Sequence, residues 1–173
     1  APKVRDPNEP PPLQTVLFGA TIPKPVDAAR YPQLAEQLRW LLRQKAKIAA
    51  FVGDKDEEYG LVLAEGESAC IDQHNRIFLG VNLVARAEKD PSLVAGILAH
   101  EIGHRPKTWK RVKHDHQLKR EQLAEMARFE EAKADRVAGR ALAELGMTPD
   151  SLCRFLEEHG HFEKQPENYF EVD

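Results

Sequence analysis

The stretch that decides the fold is Ala99-His100-Glu101-Ile102-Gly103-His104, which ends a strongly apolar segment. Asp90-Pro91 opens that segment with a helix-capping residue and a proline suited to the first helical position, so a helix is predicted. Residues four apart on a helix lie roughly 40° apart around the axis and about 6 Å along it. His100 and His104 can therefore bind one metal ion, with Glu101 beside them.

The pattern H-E-x-x-H suits the active site of a zinc-dependent hydrolase. Two imidazoles hold the ion, which lowers the pKa of a bound water to around 7, and the glutamate accepts the proton of that water. Glu101 is thus the candidate general base. Arg105-Pro106 is expected to end the helix just after His104, because the residue before a proline avoids the helical region. So short a motif also arises by chance, and a third ligand has to support it.

A second pattern, Glu131-Ala132-Lys133-Ala134-Asp135, lies in a later segment with helical periodicity. Glu131 can complete a site of two histidines and one glutamate, and Asp135 can accept a hydrogen bond from the free N–H of a ligand histidine. On their own, such acids more often form an exposed, ion-paired helix face. The metzincin class is excluded, because it needs glycine and histidine where this chain has Lys107 and Lys110.

Together the two motifs resemble those of the M48 family of gluzincin metallopeptidases, which carry H-E-x-x-H and E-x-x-x-D. The similarity covers about residues 40–158. It implies a zincin-like α+β domain, mainly helical with a small sheet, that acts as an endopeptidase on protein or peptide substrates. It also implies one zinc ion per chain, bound by His100, His104 and Glu131. Glu101 would be the general base, and Asp135 would be a second-sphere residue that hydrogen-bonds a ligand histidine.

Further elements follow from periodicity. Helices are predicted over residues 31 to about 52, 118–145 and 148–158, and short strands over residues 59–63, 69–72 and 76–81. The resemblance puts the last strand at the edge of the substrate cleft, where an extended peptide can add itself by main-chain hydrogen bonds. The basic residues of the first helix, Lys45 among them, are predicted to be solvated.

The sequence leaves alternatives to this interpretation. His114 or His116 can supply a third histidine ligand, as in SprT-like metalloproteases. A chain with these motifs can also be a catalytically silent binding module that zinc stabilises, or a helical interaction protein that binds no metal. The C-terminal tail is either a frayed end or a cover for the cleft, in which case His159, His161 or Tyr169 can reach the zinc or an oxyanion.

The composition indicates one folded domain at residues 31–173, preceded by a proline-rich arm at residues 1–30 that holds most of the twelve prolines. The arm either docks through Val16-Leu17-Phe18 or is a linker. A net charge of −3 gives no general attraction to nucleic acid or to anionic membranes. No apolar run approaches the length of about eighteen residues that spans a bilayer.

Few residues indicate the cellular compartment of the protein or the redox state of its cysteines. Cys70 and Cys153 can form one disulfide or remain two thiols, since neither lies in a metal-binding pattern. The chain begins at Ala1 without an initiator methionine, which fits signal cleavage or a trimmed chain. The family resemblance favours the cell envelope (the periplasm) or secretion over the cytoplasm.

Overall fold

A computed structural model describes residues 22–109 and 119–158 as a mixed α+β structure, mostly helical with a small sheet. The described α-helices are α1 (Ala35–Phe51), α2 (Val81–Arg86), α3 (Pro91–Gly103), α4 (Arg120–Glu144) and α5 (Asp150–Glu158). The strands are β1 (Gly60–Ala64), β2 (Ala69–Ile71) and β3 (Arg76–Gly80). Short 3₁₀ turns lie at Ala28–Arg30, Pro32–Leu34, Asp56–Glu58 and Pro106–Thr108. Helix α2 was not predicted, because six residues are too few to show helical periodicity.

The sheet has the strand order β1-β3-β2, with β1 parallel and β2 antiparallel to β3. The prediction that β3 is an edge strand is therefore wrong. Its Ile77, Phe78 and Leu79 are all buried, as expected for a central strand covered on both faces. Within the described residues β2 pairs only with β3 and also contacts α3, so the edge beside α3 is β2.

The residues before α1 extend the opposite edge of the sheet. Pro25 forms an antiparallel bridge with Ala64. The amide of Val26 donates to the carbonyl of Leu63 at 3.0 Å, and the amide of Glu65 donates to the carbonyl of Lys24 at 2.9 Å. The end of the proline-rich segment thus continues the sheet beyond β1, whereas Val16-Leu17-Phe18 lies outside the described residues.

Helix α1 corrects the expectation for one basic side chain. Lys45 is buried and not solvated. Its Nζ atom donates to the carbonyl of Tyr59 at 2.5 Å and to that of Asp56 at 3.2 Å, and it pairs with the Asp56 carboxylate at 3.1 Å. These acceptors compensate the ammonium for lost water, which is why a lysine is tolerated on the inner face.

Helices α3 and α4 pack through small side chains. Asp90 caps α3 by accepting from the amide of Leu93, as predicted, and nearly the whole helix is buried. A Cβ atom added to Gly103 would lie 2.9 Å from the Cβ of Val137 and 3.1 Å from the carbonyl oxygen of Ala134. The two helices therefore approach more closely than any larger residue at position 103 would permit.

The turn after α3 is held by a buried carboxylate. Arg105 adopts left-handed geometry with a φ of 44°, and Asp54 Oδ1 accepts from its Nη2 at 2.9 Å. Asp54 also accepts from Lys107 and, at 2.6 Å, from the hydroxyl of Tyr59. Burial raises the pKa of Asp54, but the hydrogen bonds from Lys107, Tyr59 and Arg105 outweigh it and hold the pKa below its ordinary value.

The C-terminal part of the described chain agrees with the sequence pattern. Gly146 follows α4 with a φ of 71°, the left-handed geometry expected of a glycine helix cap. Leu152 of α5 is buried in the common core.

Cys70 and Cys153 are both free thiols. Among the described helices, none is long and apolar enough to cross a membrane.

Candidate metal centre

Side chains from α3 and α4 converge on one point. Nε2 of His100 lies 3.1 Å from Oε2 of Glu131, and Nε2 of His104 lies 3.4 Å from Oε1 of the same carboxylate. The candidate ligand atoms of the three residues all lie within 4.8 Å of one another. Ligands about 2.1 Å from a tetrahedrally coordinated ion lie roughly 3.4 Å apart. His100, His104 and Glu131 can therefore hold a metal ion.

Helix geometry explains the convergence. The rings of His100 and His104 lie on one face of α3, with centroids 4.9 Å apart and planes at 88°. Glu131 lies on α4 one turn from Ala134, the residue that packs against Gly103. The close helix contact thus brings the carboxylate within ligand distance of both rings. Both histidines are buried, and Glu131 is half-buried.

The outer nitrogen of His100, which is the ring nitrogen that points away from the candidate metal position, is Nδ1. It lies 2.7 Å from Oδ1 of Asp135. With the Nδ1 proton held in this way, the Nε2 lone pair is left for the metal position. Burial lowers the pKa of His100, but the hydrogen bonds with Asp135 and Glu131 and the charge of Glu101 raise it well above its ordinary value. The same negative field that favours a proton at His100 favours a metal cation.

The outer nitrogen of His104 has a carboxylate partner that the sequence analysis missed. Its Nδ1 lies 3.3 Å from Oε1 of the buried Glu130. Burial raises the pKa of Glu130, but the interactions with His104 and Lys133 outweigh it and lower the pKa. The sequence feature that could have indicated this partner is an acid directly before Glu131. Neighbouring residues on a helix point about 100° apart, so two successive acids can reach successive turns of a partner helix.

Glu101 lies buried beside the ligand cluster. Its charge contributes to the raised pKa of His100. Burial, the charge of Glu101 and that of Asp72 together raise the pKa of the Cys70 thiol to about 12. Cys70 belongs to β2. The Glu101 carboxylate is therefore close both to the histidines and to the edge strand of the sheet.

Of the other histidines considered in the sequence analysis, the structure describes His74 alone. His74 is exposed in the turn before β3, as predicted, where its amide donates to Asp72. His114 and His116 lie outside the described residues, and so do the tail residues His159, His161 and Tyr169.

Comparison with known proteins adds no relative: no protein-family model, curated protein or solved structure matches the chain. The interpretation of the site therefore rests on its geometry and on the sequence patterns that supply its residues. The geometry establishes that His100, His104 and Glu131 can hold a metal ion.

Proposed function

We propose that this protein is a zinc-dependent endopeptidase with a zincin-like domain, of the kind found in the M48 family. The observation that carries the proposal is the convergence of His100, His104 and Glu131, with each outer ring nitrogen bound by a further carboxylate. Two imidazoles and one carboxylate form a donor set that suits catalytic zinc. Three ligands, as found among the described residues, would leave a fourth position open for water, which a closed structural zinc site does not have.

The charge around the site supports a divalent cation. Two buried imidazoles are surrounded by four carboxylates, those of Glu101, Glu130, Glu131 and Asp135. Within the described residues, Lys133 supplies one compensating ammonium next to Glu130. Because opposite charges attract strongly at partly buried sites, this excess of negative charge favours uptake of a cation.

In the proposed mechanism each of these side chains has a separate role in hydrolysis. A bound zinc ion would polarise the substrate carbonyl and lower the pKa of water. Glu101 accepts the proton of the attacking water and passes it to the amine nitrogen as the peptide bond breaks. Asp135 keeps the proton of His100 on Nδ1, so that Nε2 stays available as a ligand. Edge strand β2 can align an extended substrate by main-chain hydrogen bonds.

The test is hydrolysis of a fluorescein-labelled unfolded protein by the zinc-loaded wild type and by Glu101→Gln. The variant keeps the ligands, so we expect it to retain zinc and to lose activity by about 10²–10⁴-fold. Glu125→Gln, an exposed position on α4, is the matched control and should keep wild-type activity. Wild-type activity in Glu101→Gln would contradict the mechanism. A wild type that binds zinc without hydrolysing any substrate would indicate a zinc-stabilised binding module.

A further inference from the structure

We infer that Glu130, Lys133 and Trp109 form a dedicated positioning assembly for His104, here called the His104 clamp. The clamp holds both the imidazole ring and the main-chain carbonyl of this residue. Its three members act through His104 and touch no reacting atom in the proposed mechanism. The inference rests on the proposed metal site and adds to it the residues that fix the second histidine.

The Nδ1 side of the His104 ring contacts a carboxylate oxygen that further donors hold in place. Oε1 of Glu130 lies 3.3 Å from Nδ1 of His104, and it also accepts from Lys133 Nζ at 3.0 Å and from Trp109 Nε1 at 3.3 Å. A buried ionised carboxylate is stable only when such donors replace its water. Because three donors from different positions meet at one oxygen, that oxygen has little freedom to move. It therefore fixes the orientation of the His104 ring.

The main chain is held at the same residue. His104 follows the last residue of α3, where helix carbonyls lack the usual donors from the next turn. Its carbonyl instead accepts from Trp109 Nε1 at 2.9 Å and from Lys133 Nζ at 3.2 Å. One donor comes from the segment after α3 and the other from α4. The end of α3 is thus tied on two sides at the residue that presents a candidate ligand.

The two histidines differ in their need for this support. His100 lies inside α3, where the helix fixes its main chain, and its ring has Asp135 as partner. His104 caps the helix and directly precedes Arg105, which has a left-handed backbone. Helix ends fray more readily than helix interiors. The clamp at His104 therefore keeps the ring of this second histidine directed at the same point as the ring of His100.

The clamp predicts a specific change in metal binding. We would measure zinc affinity by competition with a chromogenic chelator, and the visible absorption of the Co²⁺ form, in Glu130→Ala, Glu130→Gln and the exposed control Glu125→Ala. Glu130→Ala should weaken zinc binding by about 10–100-fold and alter the Co²⁺ spectrum, as removal of a ligand's partner does. Glu130→Gln can still accept from Nδ1 and should recover part of the loss, while the control should match the wild type.

A second variant covers the case in which Glu130→Ala does not fold. Trp109→Phe keeps an aromatic side chain, though a smaller one, and removes the indole N–H that the clamp uses, so a smaller loss of zinc affinity with an altered Co²⁺ spectrum is expected. Wild-type affinity and an unchanged Co²⁺ spectrum in the folded variants would overturn the clamp, even if their unfolding temperature falls. Absence of zinc from the wild type would instead refute the metal site itself, so the two failures are distinguishable.

Discussion

Nδ1 of His100 lies 2.7 Å from Oδ1 of Asp135, a residue 35 positions later in the chain. This hydrogen bond joins α3 to α4 behind the candidate metal position. It places the ring proton on Nδ1 and leaves Nε2 directed at Glu131, 3.1 Å away. The orientation of the first histidine therefore depends on a residue that is not itself among the candidate ligands.

Loss of this bond should weaken metal binding without removing a ligand. In Asp135→Ala we expect zinc affinity to fall by about 10–100-fold, because the ring loses the partner that fixes its tautomer. Asp135→Asn keeps an acceptor oxygen and should lose less. Competition with a chelator measures both, and Glu144→Ala, exposed at the end of the same helix, is the control. Equal affinity in Asp135→Ala and the control would show that Asp135 does not orient the ring.

The close contact of α3 and α4 should be sensitive to one methyl group. Gly103→Ala places a Cβ 2.9 Å from that of Val137, so we expect the free energy of unfolding to fall by about 1–3 kcal/mol. Gly139→Ala is the matched control, because a Cβ there meets nothing within 4 Å and alanine favours the helix. Urea unfolding of the metal-free proteins compares them. Equal stability of the two variants would contradict the tight helix packing.

The buried Asp54 should make stability depend on acid pH. Its pKa is lower in the folded protein, so the unfolded chain takes up the proton first as the pH falls through about 4. The stabilisation is thus complete above that pH and is lost as the pH falls through the folded value. Asp54→Asn should cost roughly 1–3 kcal/mol at pH 7, and less at pH 3.

Urea unfolding from pH 3 to pH 7 tests this dependence. Glu57→Gln, which alters an exposed carboxylate in the 3₁₀ turn that follows Asp54, serves as the control and should follow the wild type over the whole range. A difference between wild type and Asp54→Asn that stays constant over that range would rule out the ionised carboxylate as its source.

Except for the six-residue α2, the helices could be predicted from local signals, and the arrangement of the strands could not. Asp90 and Gly146 mark helix ends through their own capping chemistry, so their positions are visible in the sequence. The order of the strands depends on which surfaces α3 and the N-terminal segment cover. That is why β3 was expected at the edge and lies in the centre.

The candidate site shows the same division between local and long-range information. The four-residue spacing of His100 and His104 is a local property of one helix and follows from the sequence. The roles of Glu130 and Trp109 depend on how closely α4 approaches α3, and that distance is set by Gly103. Lys45 was wrongly predicted to be solvated for a similar reason. Its acceptors, the carbonyl oxygens of Asp56 and Tyr59, lie in the segment after α1 and could not be recognised from the helix itself.

The proposed function depends on a metal ion held by His100, His104 and Glu131. The most direct test is the zinc content of the purified wild type and of Glu131→Gln, measured by elemental analysis after reconstitution. We expect one zinc per chain in the wild type, and clearly reduced or weakened binding in the variant. Unchanged zinc in the variant would move the third ligand elsewhere, with His114 and His116 as the first candidates. A wild type that takes up no zinc would refute the metal site and the proposed hydrolysis with it.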